Sequence, residues 1–324
     1  MLKLITFLAV SLMWTAQCHA AGFQSARLAG EAGAGIELAL WYPSASGTAM
    51  HDIGTTTQQV AIGGEITGTD LPLIIISHGT GGYAFSRYDT ALALAEAGFV
   101  VAALTHPGDN YKDQSRAVDI LARPRHVMAT IDYMLREWSG RAALASGRIG
   151  IFGFSSGGFT ALVNVGGVPD LARVPMHCKA HPGDFACRLL AEHGQRPIPI
   201  GPVKDLHDAR IKAAVIAAPA LGFSFDAAGL RNVNIPLQLW RAQDDAILPH
   251  PWYAEAVRIA LPMAPAYHVV PGAGHFDFLA PCSERLARIA PPICAGQAGF
   301  DRVEFHHSFN REVVAFFAKA LEKR

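Results

Sequence analysis

Arg148-Ile149-Gly150-Ile151-Phe152-Gly153-Phe154-Ser155-Ser156-Gly157-Gly158-Phe159 is the stretch on which the fold turns. Its first seven residues are apolar almost throughout, the pattern of a strand buried on both faces of a parallel sheet. FTALVNV (159–165) continues as a helix. Between them Gly153-Phe154-Ser155-Ser156-Gly157 forms G-x-S-x-G. A chain that reverses sharply from strand to helix puts the central serine in a strained backbone conformation, its Oγ projecting from the end of the sheet. The residues two places to either side must be glycine because strand and helix backbones crowd there. The glycine frame centres on Ser155, which makes Ser155 and not Ser156 the candidate nucleophile. A Gly/Ser turn without chemistry is the alternative, and the strand–turn–helix context favours the elbow.

Outward from this stretch, strands and helices alternate. LPLIIIS (71–77) and FVVAALTH (99–106) are further buried strands, and IKAAVIAAP (211–219), IPLQLWRA (235–242) and AYHVVPG (266–272) supply three more. GIELALWYPS, from Gly35, reads as an early strand, and residues 46–70 as loop with a short hairpin. Helical periodicity marks Phe85–Ala97, ending at Gly98, then Arg125–Trp138 and the terminal REVVAFFAKALEKR. The expected class is α/β, with a mostly parallel central sheet and helices on both faces. The segment at about 166–209 breaks the alternation and is long for a connection, so it reads as a lid or as a stapled surface excursion.

A serine hydroxyl needs a base to take its proton. In strand–elbow–helix folds of this kind the partners follow in the order Ser, acid, His. His275 lies in PGAGHF (271–276), just after the last expected strand, where glycines let a loop carry an imidazole over the sheet's end. His250, His306 and His307 have no such setting. The acid is expected at the exit of IPLQLWRA, in Gln243-Asp244-Asp245-Ala246-Ile247-Leu248-Pro249. Asp245 is preferred there over Asp244, and Asp277, too near His275 in sequence to reach back, is read as structural. The oxyanion of acyl transfer needs amide donors. The Ser156 N–H at the helix start supplies one, and the Thr80 N–H in Ser77-His78-Gly79-Thr80-Gly81-Gly82 the other. No Lys-Ser/Thr pair follows those glycines, which argues against a phosphate loop.

Composition bounds the partners. Lys+Arg and Asp+Glu both number 27, and zero net charge removes the electrostatic argument for nucleic acid or an anionic membrane surface. Hydrophobic residues at 51% against 17% charged exclude disorder and fit a deep core. The chain opens with Lys3, an apolar run from Leu4 to Trp14 and small residues at Cys18, Ala20 and Ala21. That is the layout of a cleavable signal peptide over residues 1–20. A buried N-terminal helix is the competing reading, and Gln17 fits a lipidation site at Cys18 poorly. Residues 21–324 then form one domain, secreted or periplasmic, with no stable membrane insertion expected and an oligomeric state that the sequence leaves open. Four cysteines remain, Cys178, Cys187, Cys282 and Cys294, an even number that points to disulfides in an exported chain. They permit three pairings, and the short spacings favour 178–187 and 282–294. Neither pair has C-x-x-C spacing, so no metal and no cofactor is expected.

SHGTGG, RPRHVMATIDYML, GFSSGG, QDDAILP and GHFDFLAPC, in that order, resemble secreted bacterial hydrolases of the predicted dienelactone hydrolase type. The same segments are similar to the platelet-activating-factor acetylhydrolase branch of the α/β-hydrolase superfamily. The resemblance runs from WYP (41–43) to the final helix and implies Ser155, Asp245 and His275 as a catalytic triad, with the Thr80 and Ser156 amides as oxyanion hole. The chain departs from true dienelactone hydrolases, whose nucleophile is cysteine. Serine points instead to small or medium apolar carboxylic esters, with lactones, phospholipid acetyl esters and acyl transfer as alternatives. Tyr83, Phe154, Phe159, Phe223 and Phe276 are the expected walls of an acyl or aryl pocket for a small-molecule ester. A binding protein on a hydrolase scaffold would usually lack a triad member, and here each has a candidate.

Overall fold

The computed structural model describes residues 19–29, 35–193 and 206–323. All but the last two residues of the expected leader lie outside these, as do residues 194–205 of the expected insertion. Among the described residues ten strands form one sheet. They are β1 (Ala20–Leu28), β2 (Ile36–Ser44), β3 (Ala49–Ile53), β4 (Thr56–Ile62), β5 (Leu71–Ser77), β6 (Val100–Thr105), β7 (Leu144–Phe154), β8 (Ile211–Ala217), β9 (Leu237–Ala242) and β10 (Ala266–Val270). Their spatial order is β10-β9-β8-β7-β5-β6-β2-β1-β4-β3. From β10 to β6 every pairing is parallel; β2 runs antiparallel to β6 and to β1, and β3 and β4 close the far edge as a hairpin.

The helices are α1 (Tyr88–Glu96), α2 (Ala122–Arg136), α3 (Ser156–Asn164), α4 (Arg173–Ala180), α5 (Phe185–His193), α6 (Ala227–Leu230), α7 (Ala254–Ala260), α8 (Glu284–Ile289), α9 (Pro291–Cys294) and α10 (Arg302–Ala320). The two-residue side-chain period of a strand sorts the central residues to two cores. Leu73 and Ile75 of β5 pack with Val127, Ile131 and Met134 of α2 and Leu162 of α3. Ile74 and Ile76 face Leu94 of α1 and Phe309, Val313 and Phe317 of α10. Both sets are fully or almost fully buried, which is why β5 carries no polar residue before Ser77. Truncating a buried isoleucine such as Ile75 to alanine costs about 2–5 kcal/mol in such a setting.

Two elements differ from the sequence reading. Strand β1 has only Phe23 and Leu28 as large apolar residues, too weak a pattern to announce itself, yet it pairs with β2 along its whole length. The terminal helix begins nine residues before Arg311, at Arg302, because Asp301 accepts the Glu304 N–H at 3.0 Å and caps it there. The unmatched segment after α3 contains α4 and α5, joined by the Cys178–Cys187 disulfide with Cα atoms 5.3 Å apart. A second disulfide, Cys282–Cys294, ties the loop before α8 to α9. No helix among the described residues is long and apolar enough to cross a membrane.

Candidate active site

Strand β7 ends at Phe154 and α3 begins at Ser156, leaving Ser155 alone at the reversal with φ 55° and ψ −118°. A non-glycine residue in this region is strained, and the surroundings hold it there. The Ser155 N–H donates to the Ala217 carbonyl at 3.0 Å, and its carbonyl accepts from the Gly158 and Ala220 amides at 2.8 and 2.9 Å. The flanking glycines are dictated by contact: a β-carbon on Gly157 would run into the Ser77 carbonyl, and one on Gly153 into that of Gly157.

Two neighbouring strand exits bring partners to the serine. The loop after β9 carries Asp244 and Asp245; Asp244 is exposed, while Asp245 is buried. One Asp245 oxygen accepts the Ile247 and Leu248 amides at 3.0 and 2.7 Å; the other lies 2.8 Å from His275 Nδ1. With Nδ1–H given to the carboxylate, the His275 Nε2 lone pair faces the Ser155 hydroxyl, 3.1 Å away. All three residues are at most 7% exposed. The Asp244 N–H bonds the Ala273 carbonyl at 2.9 Å, tying the acid's loop to the histidine's loop.

Asp277 supports this arrangement without touching Ser155. It accepts the Gly274 N–H at 2.8 Å and pairs with Arg302 at 3.1 Å, and His306 Nε2 donates to its carbonyl at 2.9 Å. His306 also meets Asp89 at 2.6 Å, so its place is structural, while His250 and His307 are exposed.

The loop after β5 lies across the elbow. Thr80 Oγ1 and Ser156 Oγ share a hydrogen bond of 2.6 Å, linking the two residues whose amides are expected to act together. Neither amide has a protein acceptor among the described residues. Behind the loop lies a device that sequence reading did not reveal. Asp109 accepts the Gly81 N–H at 3.0 Å with one oxygen and pairs with Arg123 through the other. Arg123 also donates to the His78 carbonyl and, at 3.2 Å, to Thr160 Oγ1, whose hydroxyl donates to the Ser156 carbonyl at 2.8 Å. The two charged side chains are 2% and 3% exposed. Burial lowers the Arg123 pKa, and the Asp109 carboxylate opposes that shift. The only available signal was an arginine inside the helical RPRH segment, and nothing in its spacing points to Asp109.

His78, His106 and His126 pack beside this pair, the first two rings edge to face and the last two tilted. His78 Nε2 accepts the His106 N–H at 3.0 Å, so a proton there would break that bond; Nδ1–H donates to the Gly79 carbonyl at 2.6 Å. His106 reaches Ser77 Oγ at 2.8 Å and His126 at 3.1 Å. Burial first, then the Arg123 charge, pushes all three pKa values down, His126 to about 4. They are neutral wedges under the loop. Among the described residues no group of three or more His, Cys, Asp or Glu side chains is arranged to hold a metal ion.

The five aromatic residues expected at the site are dispersed. Phe154 and Phe276 lie against the His275 ring, with centroids at 4.8 and 5.5 Å. Phe159 packs into the core on Phe225, and Phe223 stacks on His177 of α4 at 3.7 Å. Tyr83 bonds Thr55 at 2.5 Å in a separate hollow under the β3–β4 hairpin. What borders Thr80 and Ser156 instead is an apolar cleft, walled in part by α4 and α5.

Sheet order, crossovers and the elbow at the end of β7 are those of the α/β-hydrolase fold. Solved structures bear this out: 804 chains match, so widely shared a fold that no single likeness fixes a substrate. One of them, a ferulic acid esterase from Streptomyces cinnamoneus, aligns over 97% of this chain and 93% of its own, with a TM-score of 0.65 at 18% identity. At that identity the likeness establishes the fold. No family model matches the chain, and no curated protein matches it.

Proposed function

We propose that the chain is a carboxylic ester hydrolase with Ser155 as nucleophile. The observation that carries this reading is the relay Asp245–His275–Ser155, with its 2.8 and 3.1 Å contacts at the strained elbow. Ser155 Oγ attacks the ester carbonyl carbon while His275 Nε2 takes the hydroxyl proton. Asp245 keeps the imidazole in the tautomer that leaves Nε2 free and balances its charge once protonated. The carbonyl oxygen, now an anion, accepts from the Thr80 and Ser156 amides; removing one such donor typically costs about 3 kcal/mol of barrier. Collapse breaks the C–O bond, His275 returns the proton to the leaving alcohol, and an acyl ester on Ser155 remains. Water then attacks that ester, His275 takes a proton from the water, and Ser155 recovers it as the carboxylic acid leaves.

The esterase neighbour supports an ester as substrate class. Within the superfamily the ordered motifs favour the dienelactone hydrolase and platelet-activating-factor acetylhydrolase branch, and serine at the elbow favours esters over lactones. Two disulfides and the leader-like residues 1–20 fit an exported chain whose one domain spans residues 21–324. The test is a panel of para-nitrophenyl esters on wild type and Ser155→Ala. The variant should lose activity by about a thousandfold or more across the panel. Activity retained in Ser155→Ala would overturn the proposal.

A further inference from the structure

We propose that the cleft beside Thr80 and Ser156 is an aliphatic acyl slot, and that the stapled helix pair α4–α5 is its roof and sets the length of chain it accepts. This deepens the ester-hydrolase reading and rests on it. The cleft is narrow and open on one side, with about 60 Å³ of free volume, below the roughly 300–1,000 Å³ of drug-sized pockets, so it suits one slim chain. Thr80 and Ser156 are the polar residues of its wall; every other wall residue is apolar. Val174, Phe185, Ala186 and Leu190 come from the roof, Ile120 and Leu248 from the body.

The wall chemistry decides the class of group bound. Among the described wall residues there is no cation or anion, so a charged acyl chain would lose its hydration without a partner there. Among the described wall residues no side-chain hydroxyl, amide or imidazole besides those of Thr80 and Ser156 is present to read ring hydroxyls of an aromatic acid. An unsubstituted aliphatic chain leaves nothing unpaired there and gains by burial.

The position of the cleft decides which half of the ester enters. His275 Nε2 hands its proton to the leaving oxygen, so the alcohol must sit on the His275 side of the reacting carbon. The described cleft wall includes Thr80 and Ser156, the two proposed oxyanion donors, and does not include His275. The chain it holds is therefore the acyl chain. The roof is fastened at separate points. Cys178–Cys187 joins its two helices, Asp184 takes a hydrogen bond from the Tyr253 hydroxyl at 2.8 Å and meets His177 at 2.9 Å, and Phe223 stacks on His177. A roof so tied has a fixed height, which is what length selection needs.

Two ester series test this: para-nitrophenyl acetate, butanoate, octanoate and hexadecanoate for the acyl side, and acetates of methyl, butyl and octyl alcohols for the other. Ala186 is half-buried on the α5 wall, so the side chain of Ala186→Phe has the cleft to fill. The ratio of octanoate to acetate kcat/KM should fall about tenfold, the scale on which pockets read one or two methylenes. Selectivity across the alcohol series should keep its wild-type pattern. Leu190→Ala, which opens the wall and needs no extra space, should move the optimum toward longer acyl chains. Should Ala186→Phe not fold, Leu190→Ala alone decides. A shift in the alcohol series in place of the acyl series, or no shift in either, would overturn the slot. So would faster wild-type cleavage of methyl ferulate than of methyl octanoate. Ser155→Ala separates the two levels: if it abolishes turnover of every ester while the wall variants change nothing, the slot alone is wrong. If it retains turnover, the hydrolase reading beneath the slot fails.

Discussion

Arg123 and Asp109 form a buried ion pair behind the loop after β5, and the cost of disturbing it follows from what each partner holds. Asp109→Asn keeps an oxygen for the Gly81 N–H but leaves the Arg123 guanidinium, 2% exposed, without its counter-charge. Arg123→Met leaves the Asp109 carboxylate uncompensated and the His78 carbonyl without that donor. Removing one member of a buried pair costs about 3–5 kcal/mol, most of it the burden of the stranded charge. In the double variant no charge is stranded, the introduced carboxamide oxygen still accepts from Gly81, and the main loss is the His78 carbonyl's partner. An orphaned buried carbonyl costs about 1–3 kcal/mol. The double variant should therefore be more stable than either single one, with a coupling of several kcal/mol. Urea unfolding of the wild type and the three variants gives these numbers directly. If the double variant loses the sum of the single losses, the two side chains act independently and the reasoning is wrong.

Further outcomes follow from the same geometry. His126 has a folded pKa of about 4 against an ordinary 6.5, with burial the first cause. Above pH 6.5 neither state holds the proton; below it the unfolded chain takes one up and the native chain does not, so stability drains as pH falls from 6.5 to 4. Wild type should lose about 3 kcal/mol more than His126→Asn between pH 7 and pH 4, and equal losses in a urea series would contradict this. Thr80→Val removes the 2.6 Å link to Ser156 while keeping the Thr80 amide; kcat should fall about tenfold with KM little changed, and an unaltered kcat would deny the link a positioning role. Cys178→Ser with Cys187→Ser opens a nine-residue connection. It should lower stability by roughly 3 kcal/mol and flatten the dependence of kcat/KM on acyl length, and an unchanged length profile would show that the staple does not hold the roof.

What was legible in the sequence was whatever a short local pattern can encode. The elbow at Ser155, the glycine loop at His275 and the apolar runs of β5 and β6 each carry their reason within a few residues. Asp245 needed one spatial fact: which carboxylate turns inward after β9. The structure buries Asp245 against His275 and leaves Asp244 outside. Strand β1 stayed hidden because its partner β2, and not its own composition, makes it a strand. Asp109 and Arg123 stayed hidden because their pairing spans two different connections and leaves no periodic trace. The aromatic residues were legible as apolar but not in direction: Phe159 turns into the core, and the cleft beside Thr80 and Ser156 is walled chiefly by aliphatic residues, about half of them from a segment that has no counterpart in the strand–helix alternation.

The central claim is that Ser155 becomes covalently acylated, and peptide-level mass spectrometry tests it most directly. Wild type treated with diethyl para-nitrophenyl phosphate, which phosphorylates activated serines and is not readily released, is digested and mapped. The account predicts one diethylphosphoryl group on the peptide carrying Gly153-Phe154-Ser155-Ser156-Gly157, assigned to Ser155, with release of one para-nitrophenolate per chain and complete loss of esterase activity. His275→Ala should label far more slowly. Full loss of activity with the label on any other residue, or esterase activity that persists with Ser155 fully labelled, would contradict it.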